Sequence, residues 1–265
     1  MQDGARDAHS AAMRADFELP VGGASLRASV RLPPGQSNLT KLLPIIQQLE
    51  NIILDRIGEE AKRAGRPITC RAGCGACCRQ MVPVSLFEAE ALMEWVRTLP
   101  EERRRVLEER FHRALVALRD AGVIESLLSE RWMEDEASTT RLAIDYFHAG
   151  VACPFLEEES CSIHAIRPLS CREYVVTSPA ELCKDPSIHH VSGLDLPLKL
   201  SKGLYAFGQQ VAQDRRGWIP LVFLLGWGQS GASPGEYISG TSEEILRRFL
   251  ERVAEVQQKG ESPAA

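Results

Sequence analysis

Four cysteines, Cys70, Cys74, Cys77 and Cys78, fall within nine residues and make up half of the chain's eight. Thiolates are soft donors that suit zinc, iron–sulfur clusters and Cu(I). Two cysteines separated by two residues wrap one turn around a single ion, so Cys74 and Cys77 have chelating spacing. Gly73 and Gly75 flank Cys74 and permit the positive φ and close backbone approach that such a knuckle needs. Neighbouring side chains diverge in helix and strand alike. Cys77 and Cys78 are therefore expected to serve different metals, or different irons of one cluster.

The remaining cysteines, Cys153, Cys161, Cys171 and Cys183, are separated by seven, nine and eleven residues. Those intervals are too long for knuckles, so each thiol is expected to come from its own loop. Pro154 stiffens the approach after Cys153, as prolines do beside cluster-ligating cysteines in ferredoxins. Arg71, Arg79, Arg167 and Arg172 lie beside these positions. Tetrathiolate zinc and an oxidised four-iron cluster both carry a charge of about −2, so guanidinium donors around the sulfurs would stabilise either. Arg71, Arg167 and Arg172 are the candidates for that role, while surface solvation is an equal reading for Arg79.

Cysteine chemistry depends on compartment. Residues 1–17 contain no apolar stretch of signal-peptide type, and the longest apolar run, 219–225, is far short of the roughly 20 residues a membrane helix needs. The expectation is a soluble cytoplasmic protein whose thiols stay reduced, with no membrane association. With 31 basic and 36 acidic residues the net charge is −5, which argues against a nucleic-acid partner. Hydrophobic residues at 44% and charged residues at 25% exclude disordered and collagen-like classes.

Residues 17–32 alternate apolar and polar around Gly22 and Gly23, which predicts a β-hairpin after a flexible tail over 1–16. Leu42, Ile46, Leu49, Ile53 and Ile57 form one helical stripe. Ser85 with Glu88 forms a capping box for a second helix, and Leu107, Phe111, Leu115 and Leu118 mark a third after Pro100. One or two shorter helices are expected up to Phe147. Over 151–198 periodicity disappears, as it does where metal replaces an apolar core. Helical pattern returns at Leu204, Phe207 and Val211, and a last helix follows the Thr241–Glu244 capping box. The fold class expected is mainly α: one helical domain over 17–265, with a small N-terminal hairpin and an irregular cysteine-rich metal-binding layer over 68–185.

Cys70 through Cys78, followed by Cys-Pro-Phe-Leu from Cys153, Cys161 with His164, and Cys171 within Arg-Pro-Leu-Ser-Cys-Arg-Glu-Tyr, resembles the CxxCxxCC, or YkgJ-like, cysteine-cluster family. The resemblance covers about residues 68–185 and implies a domain that chelates zinc or iron. It carries over to Cys70, Cys74, Cys77, Cys78, Cys153, Cys161 and Cys171 as metal ligands, with Cys183 as the eighth in a weaker local motif. The first spacing here is three residues instead of two, so Cys70 departs from the pattern. His164 stands where the family often has Tyr, which implies a packing or supporting role. The family also includes longer flagellin lysine methylases.

Other motifs weigh less. Cys70, Cys74 and Cys77 also have the spacing of the radical SAM motif, but a helical stretch follows and five cysteines stay unexplained. Gly226, Gly228 and Gly231 satisfy GxGxxG, yet Pro234 and a single remaining helix follow, so a glycine-rich turn is expected. His189 and His190 in a polar loop read as exposed. The acidic runs at 101–110 and 157–159 read as solvated faces.

The functional expectation is a cysteine-cluster protein binding metal ions, with seven or eight thiolates on an iron–sulfur cluster or Zn. Its role would be structural or metal-handling. The alternative is a redox or group-transfer enzyme, protein lysine methylase-like, using an open metal position. No protein partner is legible.

Overall fold

The computed structural model describes residues 13–21, 24–129, 131–186, 190–212 and 216–260. The fold is mainly helical. Strands β1 (Met13–Val21) and β2 (Ala24–Leu32) pair antiparallel from Met13 opposite Leu32 to Val21 opposite Ala24. The pairing extends four residues further toward the N-terminus than the alternation around 17–32 predicts. Gly22 and Gly23 lie outside the described residues, as do His189 and residues 1–12.

A three-residue strand β3 (Gln36–Asn38) leads into α1 (Leu39–Arg63). Asn38 caps this helix by accepting from the Lys41 N–H at 2.9 Å, which satisfies one of the donors a helix N-terminus leaves open. Leu42, Ile46, Leu49 and Ile53 are fully buried on one face, each contributing about 1.5–3 kcal/mol of burial. They meet α7 (Leu200–Ala212) and α9 (Ser242–Gly260) through Leu204, Phe207, Phe249 and Val253, with Val30 and Leu32 of the hairpin closing this first core.

Between these elements runs the segment that carries the site. Strand β4 (Pro83–Ser85) enters α2 (Leu86–Thr98). The expected capping box is formed: the Glu88 N–H donates to Ser85 Oγ at 3.2 Å and the Ser85 N–H donates to Glu88 Oε2 at 3.0 Å. Then follow α3 (Glu101–Asp120), α4 (Val123–Ser129) and α5 (Glu136–His148). The irregular stretch holds a minimal hairpin, β5 (Leu156–Glu157) with β6 (Ser160–Cys161), and the short α6 (Leu169–Glu173). After α7, β7 (Trp218–Pro220) pairs with β4, α8 (Leu224–Gly228) follows, and β8 (Ser239–Thr241) pairs with β3. The Thr241–Glu244 box opens α9 as expected, with Thr241 N–H donating to Glu244 Oε2 at 2.9 Å.

Two further cores support the site. Val84, Leu92, Val96, Phe111, Phe155, Leu221 and Leu224 form one, against which Cys153 and Cys161 pack. The other joins α3, α4 and α5 through Leu118, Leu127, Leu142 and Trp132. The glycine-rich segment 226–231 is not wholly a turn: Gly226 and Gly228 belong to α8, anchored by fully buried Leu224, and the chain turns only from Gln229. Among the described residues, no helix is long and apolar enough to cross a membrane.

Candidate metal centre

The first cysteine group sits on a loop and a short 3-10 helix, Ala76–Arg79. Cys70 is fixed by pairing with the chain after α6. The Thr69 N–H donates to the Val176 carbonyl at 3.0 Å, and the Val176 N–H donates to Cys70 Sγ at 3.3 Å. Gly73 adopts the left-handed φ of +77° that glycine tolerates best, turning the chain into Cys74. Gly75 is small for another reason: a Cβ there would lie 2.9 Å from Leu156 Cδ1 and 2.5 Å from Glu159 Oε2. The bare backbone lets the first cysteine loop rest on the β5–β6 hairpin.

The second group is anchored by aromatics. Phe155 is fully buried and stacks edge-on against Phe111 (5.5 Å between centroids, 82°) and Trp95 (6.2 Å, 64°). Buried Pro154 precedes it, so Cys153 is held two residues from a fixed point. The Cys153 N–H donates to the Cys78 carbonyl at 2.7 Å, joining the two groups directly. Cys171 lies on α6, whose start is tied to α2: the Leu169 N–H donates to Glu88 Oε1 at 2.6 Å and Ser170 Oγ donates to the Pro83 carbonyl at 2.7 Å. Cys183 is buried on a 3-10 turn, Ala180–Lys184, that packs on the turn carrying Cys77 and Cys78.

These segments enclose a cavity of about 600 Å³, and all eight cysteines line it. Two groups 75 residues apart in sequence therefore meet in space. Every cysteine is unpaired, with Cys70 exposed. Among the described residues, no three Cys, His, Asp or Glu side chains converge as they stand to hold one ion.

The thiols are electrostatically distinct. A hydrogen bond from Cys78 holds the Cys77 thiol below the ordinary range, and the same bond with burial pushes Cys78 up. Burial pushes Cys153 up to about 12 and raises Cys70, Cys161, Cys171 and Cys183. A wall of mostly protonated thiols suits a metal well, because binding displaces the protons and removes the cost of burying thiolates.

The arginines divide. Arg167 lines the cavity and its Nε is buried without a hydrogen-bond partner. Arg71 also lines it, exposed and paired with Glu181 at 2.9 Å. Arg172 is buried behind the wall, donating to Asn51 Oδ1 and to the Arg167 and Ala165 carbonyls. Arg79 does not line the cavity: partly exposed, it bonds the Gly75 carbonyl at 2.8 Å and Glu159 at 2.6 Å. His164 lies exposed at the cavity rim, beside Arg167, and His190 is exposed.

In the acidic run 157–159, Glu158 and Glu159 are exposed, as a solvated face would be, and Glu157 is partly buried. Glu157 bridges Arg103 and Arg110 of α3, and Glu159 takes Arg79, leaving only Glu158 unpaired among the three. Tyr174 and Gln80, joined by a 3.0 Å bond at the cavity, were not legible as site residues. The one hint is that Tyr174 ends the motif around Cys171.

Residues 69–188 match the CxxCxxCC family, described as "Putative zinc- or iron-chelating domain". This segment is similar to that family. The match begins one residue before Cys70 and ends five after Cys183, so it takes in every cysteine of the chain. No curated protein and no solved structure matches the chain.

Proposed function

We propose that this chain is a metal-binding cysteine-cluster protein whose thiolates hold an iron–sulfur or zinc centre. The observation that carries the reading is that Cys70, Cys74, Cys77, Cys78, Cys153, Cys161, Cys171 and Cys183 all line one cavity. The donor set fits the proposed metals, because thiolate-only sites select zinc, Cu(I) and iron–sulfur clusters. Eight thiols exceed the four that a single zinc takes, which is the ground for preferring iron–sulfur to a single zinc. When bound, the metal supplies cross-links between loops that have little apolar core of their own.

The chain's residues do the rest. The Phe155 anchor, the Cys153–Cys78 bond and the Glu88–Leu169 bond hold the loops near the positions ligation requires. Arg167 and Arg71 supply positive charge beside thiolates that loading would create. The role is structural or metal-handling, in a cytoplasmic setting that keeps the thiols reduced. The volume of the cavity favours one second reading, a redox or group-transfer enzyme with an open metal position, since about 600 Å³ is the scale of a small-molecule site.

Anaerobic purification with metal analysis and a visible spectrum tests the first reading. Iron, labile sulfide and colour are expected. A colourless protein holding zinc would end the iron–sulfur preference, and a protein that binds neither metal would end the reading itself.

A further inference from the structure

Two arginines line the cavity, Arg71 and Arg167, and they differ in what holds them. Arg71 pairs with Glu181 at 2.9 Å. Among the described residues, Arg167 makes no ion pair and no side-chain hydrogen bond, and its Nε is buried without a partner. Glu159 is the only carboxylate of the described residues on the wall. It gives its two oxygens to Arg79, at 2.6 and 3.1 Å. No internal anion is left for Arg167. A buried donor without an acceptor is uncommon in folded proteins, and a bound ion or ligand that brings the acceptor accounts for it.

The backbone that carries this side chain is held in place. The Arg167 carbonyl accepts from Arg172 Nε at 3.1 Å and from Gln47 Nε2 at 3.4 Å, and buried Pro168 follows. The guanidinium is thus presented from a fixed point, which lowers the ordering cost of binding. Apart from the thiols, much of the wall is apolar, including Ile68, Met81, Val82, Val176 and Leu221. The enclosed volume of about 600 Å³ is that of a small-molecule site, where a few polar groups orient a ligand held mainly by apolar contact. A charge set beside metal-bound thiolates needs no fork, and a lysine would serve. Two parallel N–H groups match a carboxylate.

We propose that the cavity binds a small organic carboxylate, its charged end on the Arg167 guanidinium and its apolar body against the apolar part of the wall. This rests on the reading of the cavity as the functional site, and it names the class of molecule that enters beside the metal.

Isothermal titration calorimetry tests it on the full-length protein, purified anaerobically and assayed for metal. The probes are hexanoate, acetate, hexanamide and inorganic phosphate. Hexanoate is expected to bind at one per chain. Hexanamide keeps the shape without the charge and should bind about tenfold more weakly or worse. Acetate lacks most of the apolar body and should be weaker by a similar factor. R167K keeps a positive charge and loses the fork. It should retain the metal content of the native protein and bind hexanoate about tenfold more weakly. Should R167K fail to fold by circular dichroism, the comparison of hexanoate with hexanamide on the native protein decides alone. Equal binding of those two, unchanged hexanoate binding in folded R167K, or phosphate binding as tight as hexanoate would each overturn the proposal. Metal without hexanoate binding would defeat this proposal alone. A chain that takes up neither would defeat the reading beneath it as well.

Discussion

The Cys153 N–H donates to the Cys78 carbonyl at 2.7 Å, so the two cysteine groups are linked through backbone as well as through any metal they share. That bond, with the Thr69 pairing to Val176, keeps the cavity assembled from inside the fold. Metal removal should therefore loosen the layer without dissolving the helices. Chelation is expected to leave far-UV circular dichroism largely unchanged, to lower the melting temperature, and to expose 151–186 to limited proteolysis. Binding at a thousandfold excess over Kd contributes about 4 kcal/mol, which sets the scale of the melting shift. Loss of helical signal in step with metal would contradict this.

Phe155 is the fixed point for Cys153. Phe155→Ala should destabilise the protein by about 3–5 kcal/mol, since its ring is fully buried between Phe111 and Trp95. Urea unfolding measures the loss. Zinc affinity should fall in the same variant, whereas Val253→Ala, in the first core on α9, should leave affinity unchanged.

Glu88 serves two structures at once. Its carboxylate closes the α2 capping box and accepts the Leu169 N–H that starts the Cys171 helix. Burial raises its pKa while the Leu169 and Ser85 bonds oppose the rise. Glu88→Ala leaves buried N–H groups unpaired, at a cost of about 1–3 kcal/mol for each group. Denaturant melts should show that loss. Ser85→Ala, which removes only the cap, should cost about 1 kcal/mol.

Glu50 is fully buried in α1, and neither carboxylate oxygen has a hydrogen-bond partner. Burial, and then the neighbouring Glu173, push its pKa up to about 9 from an ordinary 4.5. Below pH 4.5 folded and unfolded chains are both protonated here. As pH rises, the unfolded chain ionises while the folded carboxyl keeps its proton, so stability falls until about pH 9. At pH 7 the penalty is on the order of 3 kcal/mol. Glu50→Gln should flatten the decline and be the more stable protein at pH 8, read from urea midpoints between pH 5 and 9. A parallel pH profile for the two proteins would count against it.

The β5–β6 turn is built from Glu158 and Glu159, both with left-handed φ, 48° and 58°. A two-residue turn of this kind favours Asn and Gly. Glu158→Asn should stabilise the protein by roughly 0.5–1 kcal/mol, because Glu158 is exposed and makes no ion pair. Glu159→Asn should show no such gain, since it gives up the pair with Arg79.

The elements were legible wherever their signal lies within a turn or two of chain. The α1 stripe from Leu42 to Ile53, the Ser85 and Thr241 capping boxes and the break at Pro100 all appear where their residues place them. Residue type and spacing also sufficed to propose metal-binding chemistry for the thiols at 70–78 and 153–183. Hairpin length was underread because Met13 to Asp16 pair with partners thirteen to nineteen residues away, and residues 14 and 16 carry charge.

That the two cysteine groups share one cavity was decided by tertiary structure alone. No local pattern says that Cys153 bonds the Cys78 backbone, or that the turn of Cys183 packs on the turn of Cys77 and Cys78. The same holds for Arg172, drawn inward to Asn51, and for Glu157 and Glu159, drawn to arginines 47 to 80 residues away. The cysteines by themselves name the class of ligand. Only packing of separate segments sets the distances on which ligand sets, charge pairing and access depend.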